Sequence, residues 1–146
     1  MNKNLLVSKE NRPVLVIDTE NDSTIKKMIS NATSKEIKSY IAIELEDIKV
    51  ILNAEGLTST ISTTGRGKFS HKKSIQPLIM HYKICKNIRA ILISFSIHGT
   101  FSITKIKEVM GNVYKVFTKD EEIIFSVFID NTLALDEVQV NSIIKR

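Results

Sequence analysis

A chain of 146 residues with 42% hydrophobic and 25% charged residues is long enough to bury a core as one domain and too apolar to be disordered. No run approaches the roughly 18–20 apolar residues of a membrane-spanning helix, and Met1 to Glu10, with charges scattered through it, does not read as a secretory signal. The net charge of +5 is uneven: Gly56 to Lys107 holds nine Lys/Arg and no Asp or Glu. That stretch predicts either a positive surface for nucleic acid, anionic lipid or another acidic partner, or simply a solvated helix face.

Val14 to Ile17, an apolar run between Pro13 and the polar Asp18–Asp22, reads as a strand. Ile25, Met28, Ile29 and Ala32 recur at helical spacing and predict a short helix from about Ser23. Thr33-x-x-Glu36 has the form of a capping box that extends it or starts another turn. Leu45, Ile48, Ile51 and Leu52 form a cleaner helical stripe, with Gly56 where a left-handed C-cap belongs. Leu57 to Thr64 is rich in threonine but poor in apolar bulk, which predicts a strand near a sheet edge with one wet face.

Gly65-Arg66-Gly67 breaks that strand. A helix follows from about Ser70 into the Ile75–Tyr82 region, and Pro77 is expected to kink or end part of it. Ile91 to Ile97 is a strong strand closed by His98-Gly99. Ser102 then caps a helix that turns Ile103, Ile106, Val109, Val113 and Val116–Phe117 to one side. Ile123 to Ile129, nearly continuous in apolar residues, predicts a central strand covered on both faces. Val138 and Val140 alternate with Gln139 and Asn141 in a last strand that reads as half buried. The fold class is α/β (α+β), a mixed four- to five-stranded sheet with helices packed on it.

Candidate chemistry is sparse. Cys85 is the only cysteine, which excludes an internal disulfide, fits a reducing cytoplasm and predicts a buried or half-buried small apolar residue. His71, His81 and His98 stand at no metal-ligand spacing, so no metal site is expected. Gly65-Arg66-Gly67-Lys68 lacks the frame of a phosphate loop and reads as a plain turn.

Seven collinear pieces resemble the C-terminal domain of FtsZ, the bacterial tubulin relative. Ile43-Glu-Leu-Glu-Asp-Ile48, with Gly56 nine residues after Asp47, is similar to the family's synergy loop, Asn-x-Asp-Phe-x-Asp-Val, and the helix behind it. Pro77-Leu-Ile79, Ile91–Ile97 with Gly99, Phe101–Val109, Glu122-Ile-Ile-Phe125 with Ile129-Asp130, and Asp136-Glu137-x-x-Val140 follow in the family's order. The resemblance covers about residues 40 to 146, which makes 40–146 the FtsZ-like domain and 1–39 an N-terminal strand and helix, either an addition to the domain or a remnant of the interdomain region.

The resemblance implies no GTP-binding half and no acidic tail here, since neither is matched. In FtsZ the synergy loop enters the nucleotide site of the next subunit, where its carboxylates polarise the attacking water. The matching positions are Ala42, Glu44 and Asp47. Asp47 keeps the acid, whereas Glu44 is one methylene too long, a misplacement of about an ångström that costs about a hundredfold in rate. Ala42 has lost the side-chain amide. The same carboxylates also simply favour a helix N-terminus.

The resemblance therefore implies a non-catalytic interaction domain without a cofactor. Its expected partner is an FtsZ or FtsZ-like subunit whose filaments it caps or regulates in the cytoplasm, in cell division. Two alternatives stand beside it. One is a nucleic-acid-binding module using Arg66, Lys68, Lys72, Lys73, Lys83, Lys86 and Arg89; the other is a self-assembling domain that pairs through Leu57–Thr64.

Overall fold

The computed structural model describes residues 19–85, 87–117 and 120–146, the side chains of 19–22 excepted. The strand expected at Val14–Ile17 lies outside them. Within them the chain runs α1 (Thr19–Thr33), β1 (Ser39–Ile41), α2 (Leu45–Asn53), β2 (Thr58–Gly65), α3 (Ser70–Ile84), β3 (Ala90–Ile97), α4 (Ile103–Val116), β4 (Glu122–Ile129) and β5 (Val138–Lys145). The strands form one mixed sheet in the order β1-β4-β3-β5-β2. β3 and β4 are parallel and the other neighbours antiparallel.

Each face of the sheet carries its own core. Because side chains alternate along a strand, Ile91, Ile93, Phe95 and Ile97 of β3 point to one side, where they meet Ile75 and Leu78 of α3 and Ile106, Val109 and Val113 of α4. Leu92, Phe128 and Ile143 point to the other side and pack with Ile25 and Met28 of α1 and Ile48, Ile51 and Leu52 of α2. The helical stripes read from the sequence are the faces these helices bury, apart from Val116 at the end of α4, which is exposed.

Local chemistry moves several boundaries. α1 begins at Thr19, ahead of the expected Ser23, and it closes at Thr33, whose hydroxyl donates to the carbonyl of Ile29 at 2.8 Å. Ser34 Oγ then accepts from the Glu36 N–H at 3.2 Å, so the expected capping box does not form and the chain swings out into β1. β1 was not expected, because three residues are too few to show a period. Pro77 sits inside α3 without ending it. A helical proline crowds the carbonyls of the preceding turn, and the hydroxyl of Thr63 on β2 donates to the Ser74 carbonyl there. Ser102 is the N-cap of α4, as its position predicted, although its hydroxyl makes no capping bond.

β2 lies at the sheet edge, as expected, but β5 is central and buried on both faces instead of half buried. Several of its polar groups are met by others, although the buried Ser142 hydroxyl and Asn141 Nδ2 have no partner. Ser62 donates to Asn141 Oδ1 at 2.8 Å, and Lys27 donates to Gln139 Oε1 at 2.6 Å. On the same side of the sheet, Ser126 donates to Ser94 at 3.1 Å. At the end of β5, buried Lys145 donates to the Leu52 carbonyl at 3.1 Å and to Thr58 Oγ1 at 2.5 Å, and burial lowers its pKa.

Gly56 is not the C-cap of α2. That position is Ala54, in extended backbone. Gly56 lies beyond it at φ 118°, and a Cβ built there would stand 1.9 Å from the Arg146 carbonyl oxygen. Left-handed strain and this backbone collision act together in Gly56→Ala, which should lose about 2–3 kcal/mol of stability in urea unfolding. A loss under about 0.5 kcal/mol, the size of an ordinary surface substitution, would contradict the geometry.

Candidate functional site

The loop between β1 and α2 is held from three directions. β1 pairs with β4 through Ser39↔Phe128 and Ile41↔Val127, with an irregular register between them. The hydroxyl of Tyr40 donates to the Gly99 carbonyl at 3.1 Å, and the Gly99 N–H donates to Asn131 Oδ1 at 2.8 Å. Ile43, only 5% exposed, plugs the loop into the core beneath α1 and α2. Its neighbours Ala42 and Glu44 consequently face solvent.

Glu44 is the N-cap of α2, with φ −102° and ψ 161°. Its N–H donates to Asp47 Oδ2 at 2.8 Å, and Glu46 and Asp47 place negative charge in the first turn, where the helix dipole favours it. Ala42 and Glu44 thus lie on the loop and Asp47 in the first turn of α2 directly behind it, with one Asp47 oxygen engaged in the cap. A groove of about 350 Å³ lined by Asn31, Glu36, Lys38, Ser96, Asp130 and Asn131 shares no residue with that loop.

The expected basic residues are divided among different environments. Arg66 lies 3.4 Å from Glu137, and the Gly67 N–H donates to Asp136 at 3.0 Å, so acidic groups neutralise this turn. Lys68 and Lys72 place their ammonium groups 5.7 and 5.6 Å from the centre of the exposed Phe69 ring. Lys73 Nζ donates to the Arg66 carbonyl at 3.3 Å, and Lys83 stands in the last turn of α3. Arg89 donates to the Glu55 carbonyl at 3.4 Å and lines a cavity of about 560 Å³ with Arg146 and Asp120. Lys86 lies outside the described residues.

Cys85, half buried, ends α3 with its sulfur 3.3 Å from His81 Nε2. Among the described residues no three His, Cys, Asp or Glu side chains gather as a metal site would require.

Sequence reading did not single out the surroundings of His71 on α3. This ring is buried, stands edge-on to Phe101 at 6.2 Å, and has no hydrogen-bond partner at Nδ1. Its Nε2 lies 3.9 Å from a Glu108 carboxylate oxygen. Burial, then Lys105 and Lys72, hold its pKa below the ordinary 6.5, against a smaller opposing effect of Glu108. The acid-free stretch hinted at this result, since a histidine among lysines resists a further positive charge.

No family model and no curated protein matches the chain. Solved structures do. An FtsZ dimer from M. jannaschii, in its empty form, superposes with a TM-score of 0.66 at 18% identity, over 84% of this chain and 36% of that one. A mutant of the M. jannaschii FtsZ gives a TM-score of 0.66 at 17% identity, over 87% of this chain and 38% of that one. The chain folds like one domain of FtsZ. It spans well under half the length of those FtsZ chains, and a likeness at this identity establishes the fold. No helix among the described residues is long and apolar enough to cross a membrane.

Glu44 and Asp47 form a capping box at the start of α2, so Asp47→Ala and Glu44→Ala should each cost about 1 kcal/mol. A melting temperature left unchanged by either substitution would contradict the box. For His71, a folded-state pKa below the unfolded one means that the unfolded chain binds more protons near pH 6. Its contribution is complete above about pH 6.5 and is lost as the pH falls through the lowered folded value. Urea unfolding across that window should show stability falling with acid in the native chain and a shallower fall in His71→Phe.

Proposed function

We propose that the chain is an interaction domain that binds an FtsZ or FtsZ-like subunit through the loop of Ala42, Glu44 and Asp47. In this reading it caps or regulates filaments and turns over no nucleotide itself. The observation that carries the reading is the anchored acidic loop. Ile43 buried below it, the Tyr40–Gly99 bond beside it and the Asp47 cap behind it hold Ala42 and Glu44 outward without the cost of ordering a free segment. The motif resemblance at these residues and the FtsZ-like fold point to the same surface. One of the similar structures is of an FtsZ dimer, which supports a role in subunit pairing.

Residues 40–146 form the C-terminal-like domain in this proposal, and α1, packed on the same sheet, belongs to the interdomain region before it. With Glu44 one methylene long and one oxygen of Asp47 engaged at the cap, the loop docks on a neighbour's nucleotide site but activates water poorly. In this reading the domain docks through this surface without offering a nucleotide site to a following subunit, and growth stops at one filament end.

Mixing the chain with the FtsZ of the same cell at equal concentration should lower sedimented polymer and GTP turnover. The double variant Glu44→Lys, Glu46→Lys should restore both. Unchanged polymer mass and turnover with the native chain would overturn the proposal.

A further inference from the structure

α3 buries one face against the sheet and α4 and leaves the opposite face open, and the composition of that open face is unusual. Ser70, His71, Ser74, Ile75 and Leu78 point inward. At about 100° per residue, the exposed positions fall together on the other half of the helix. Met80 and Ile84, one turn apart and 48% and 73% exposed, form an apolar patch towards the end of that face. Phe69, 50% exposed, stands at the start of the helix, and Lys73 lies on the same line between them, with Lys72 and Lys83 to one side. No carboxylate belongs to α3, its preceding turn or β2.

The neighbouring helix extends the same chemistry. α4 exposes Lys105, Lys107 and Lys115 against the single acid Glu108, together with Tyr114 at 50% exposure. The acidic pair Asp136–Glu137 is engaged by Arg66 and Gly67 at the turn before α3.

We infer that the outer face of α3, extended by the lysines of α4, docks on an anionic lipid surface. The lysines meet the headgroup charge, and Phe69, Met80 and Ile84 enter the boundary between headgroups and acyl chains. Exposed methionine and isoleucine among lysines are what separates this surface from one built for nucleic acid. Phosphates reward the cations alone, and single-stranded bases need a row of stacking rings where this surface offers one exposed ring on each helix, Phe69 and Tyr114. Docking here leaves the acidic loop free, since α2 covers the opposite face of the sheet.

Co-sedimentation of the full chain with vesicles tests this. Vesicles of phosphatidylcholine containing phosphatidylserine should bind the chain, those of phosphatidylcholine alone should not, and added salt should release it. Replacing Lys72 and Lys83 by glutamine should weaken binding about fivefold per lysine. Met80→Ser with Ile84→Ser, which leaves the charge untouched, should weaken it at least several-fold. All four side chains are exposed, so circular dichroism should show each variant folded as the native chain is. Absence of binding to phosphatidylserine vesicles at low salt would overturn the inference. So would binding that is insensitive to Met80 and Ile84 and is competed away by DNA or RNA equally in every variant, the outcome expected of a nucleic-acid surface.

Discussion

β3 and β5 lie side by side, each buried on both faces, and this pair organises everything else in the fold. A strand buried on both sides demands cover twice, so the helices must divide, and they do, with α1 and α2 on one face and α3 and α4 on the other. The two faces are not equivalent. Beneath α3 and α4 the strands present isoleucine, valine and phenylalanine with the single buried Ser142, whereas beneath α1 they mix Leu92 and Ile143 with Ser94, Ser126 and Asn141. Ser94 pairs with Ser126 there and Asn141 Oδ1 with Ser62, while the buried Asn141 Nδ2 is left without a partner.

Much of this was legible from the chain. Strong apolar periods marked α2, α4 and β3, and the threonine-rich composition marked β2 as an edge. β5 was misjudged for a physical reason. Alternating Val138, Gln139, Val140 and Asn141 has the same appearance whether the polar residues meet water or meet Ser62 and Lys27, and only the fold decides which. Gly56 was correctly suspected of a positive φ, yet its purpose, room for the Arg146 carbonyl, depends on a contact between distant segments.

The candidate loop divides in the same way. Ala42, Glu44 and Asp47 are close in sequence, so a motif can hold all three. The groups that steady them, Tyr40, Gly99 and Asn131, come from separate segments and carry no local signature. Charge was overcounted from sequence, since Arg66 turns to Glu137 and Arg89 to the Glu55 carbonyl, while the lysines of α3 remain at the surface. What results is a domain with two chemically opposed sides. The acidic loop belongs to the α2 layer and the lysines to the α3–α4 layer, so a partner at one need not compete with a partner at the other.

The strand order also governs how the chain reaches this state during synthesis. Among the described strands only β3 and β4 are both consecutive and adjacent, while β2 finds its sole described strand neighbour in β5, the latest of the five to be synthesised. Until β5 arrives, one edge of β3 and the backbone of β2 lack their native sheet partner, and a long loop must close before that pairing is rewarded. Until then the nascent chain exposes apolar strand surface, the condition in which such chains aggregate. β5 then acts as a latch, turning a set of loosely associated helices and strands into one sheet.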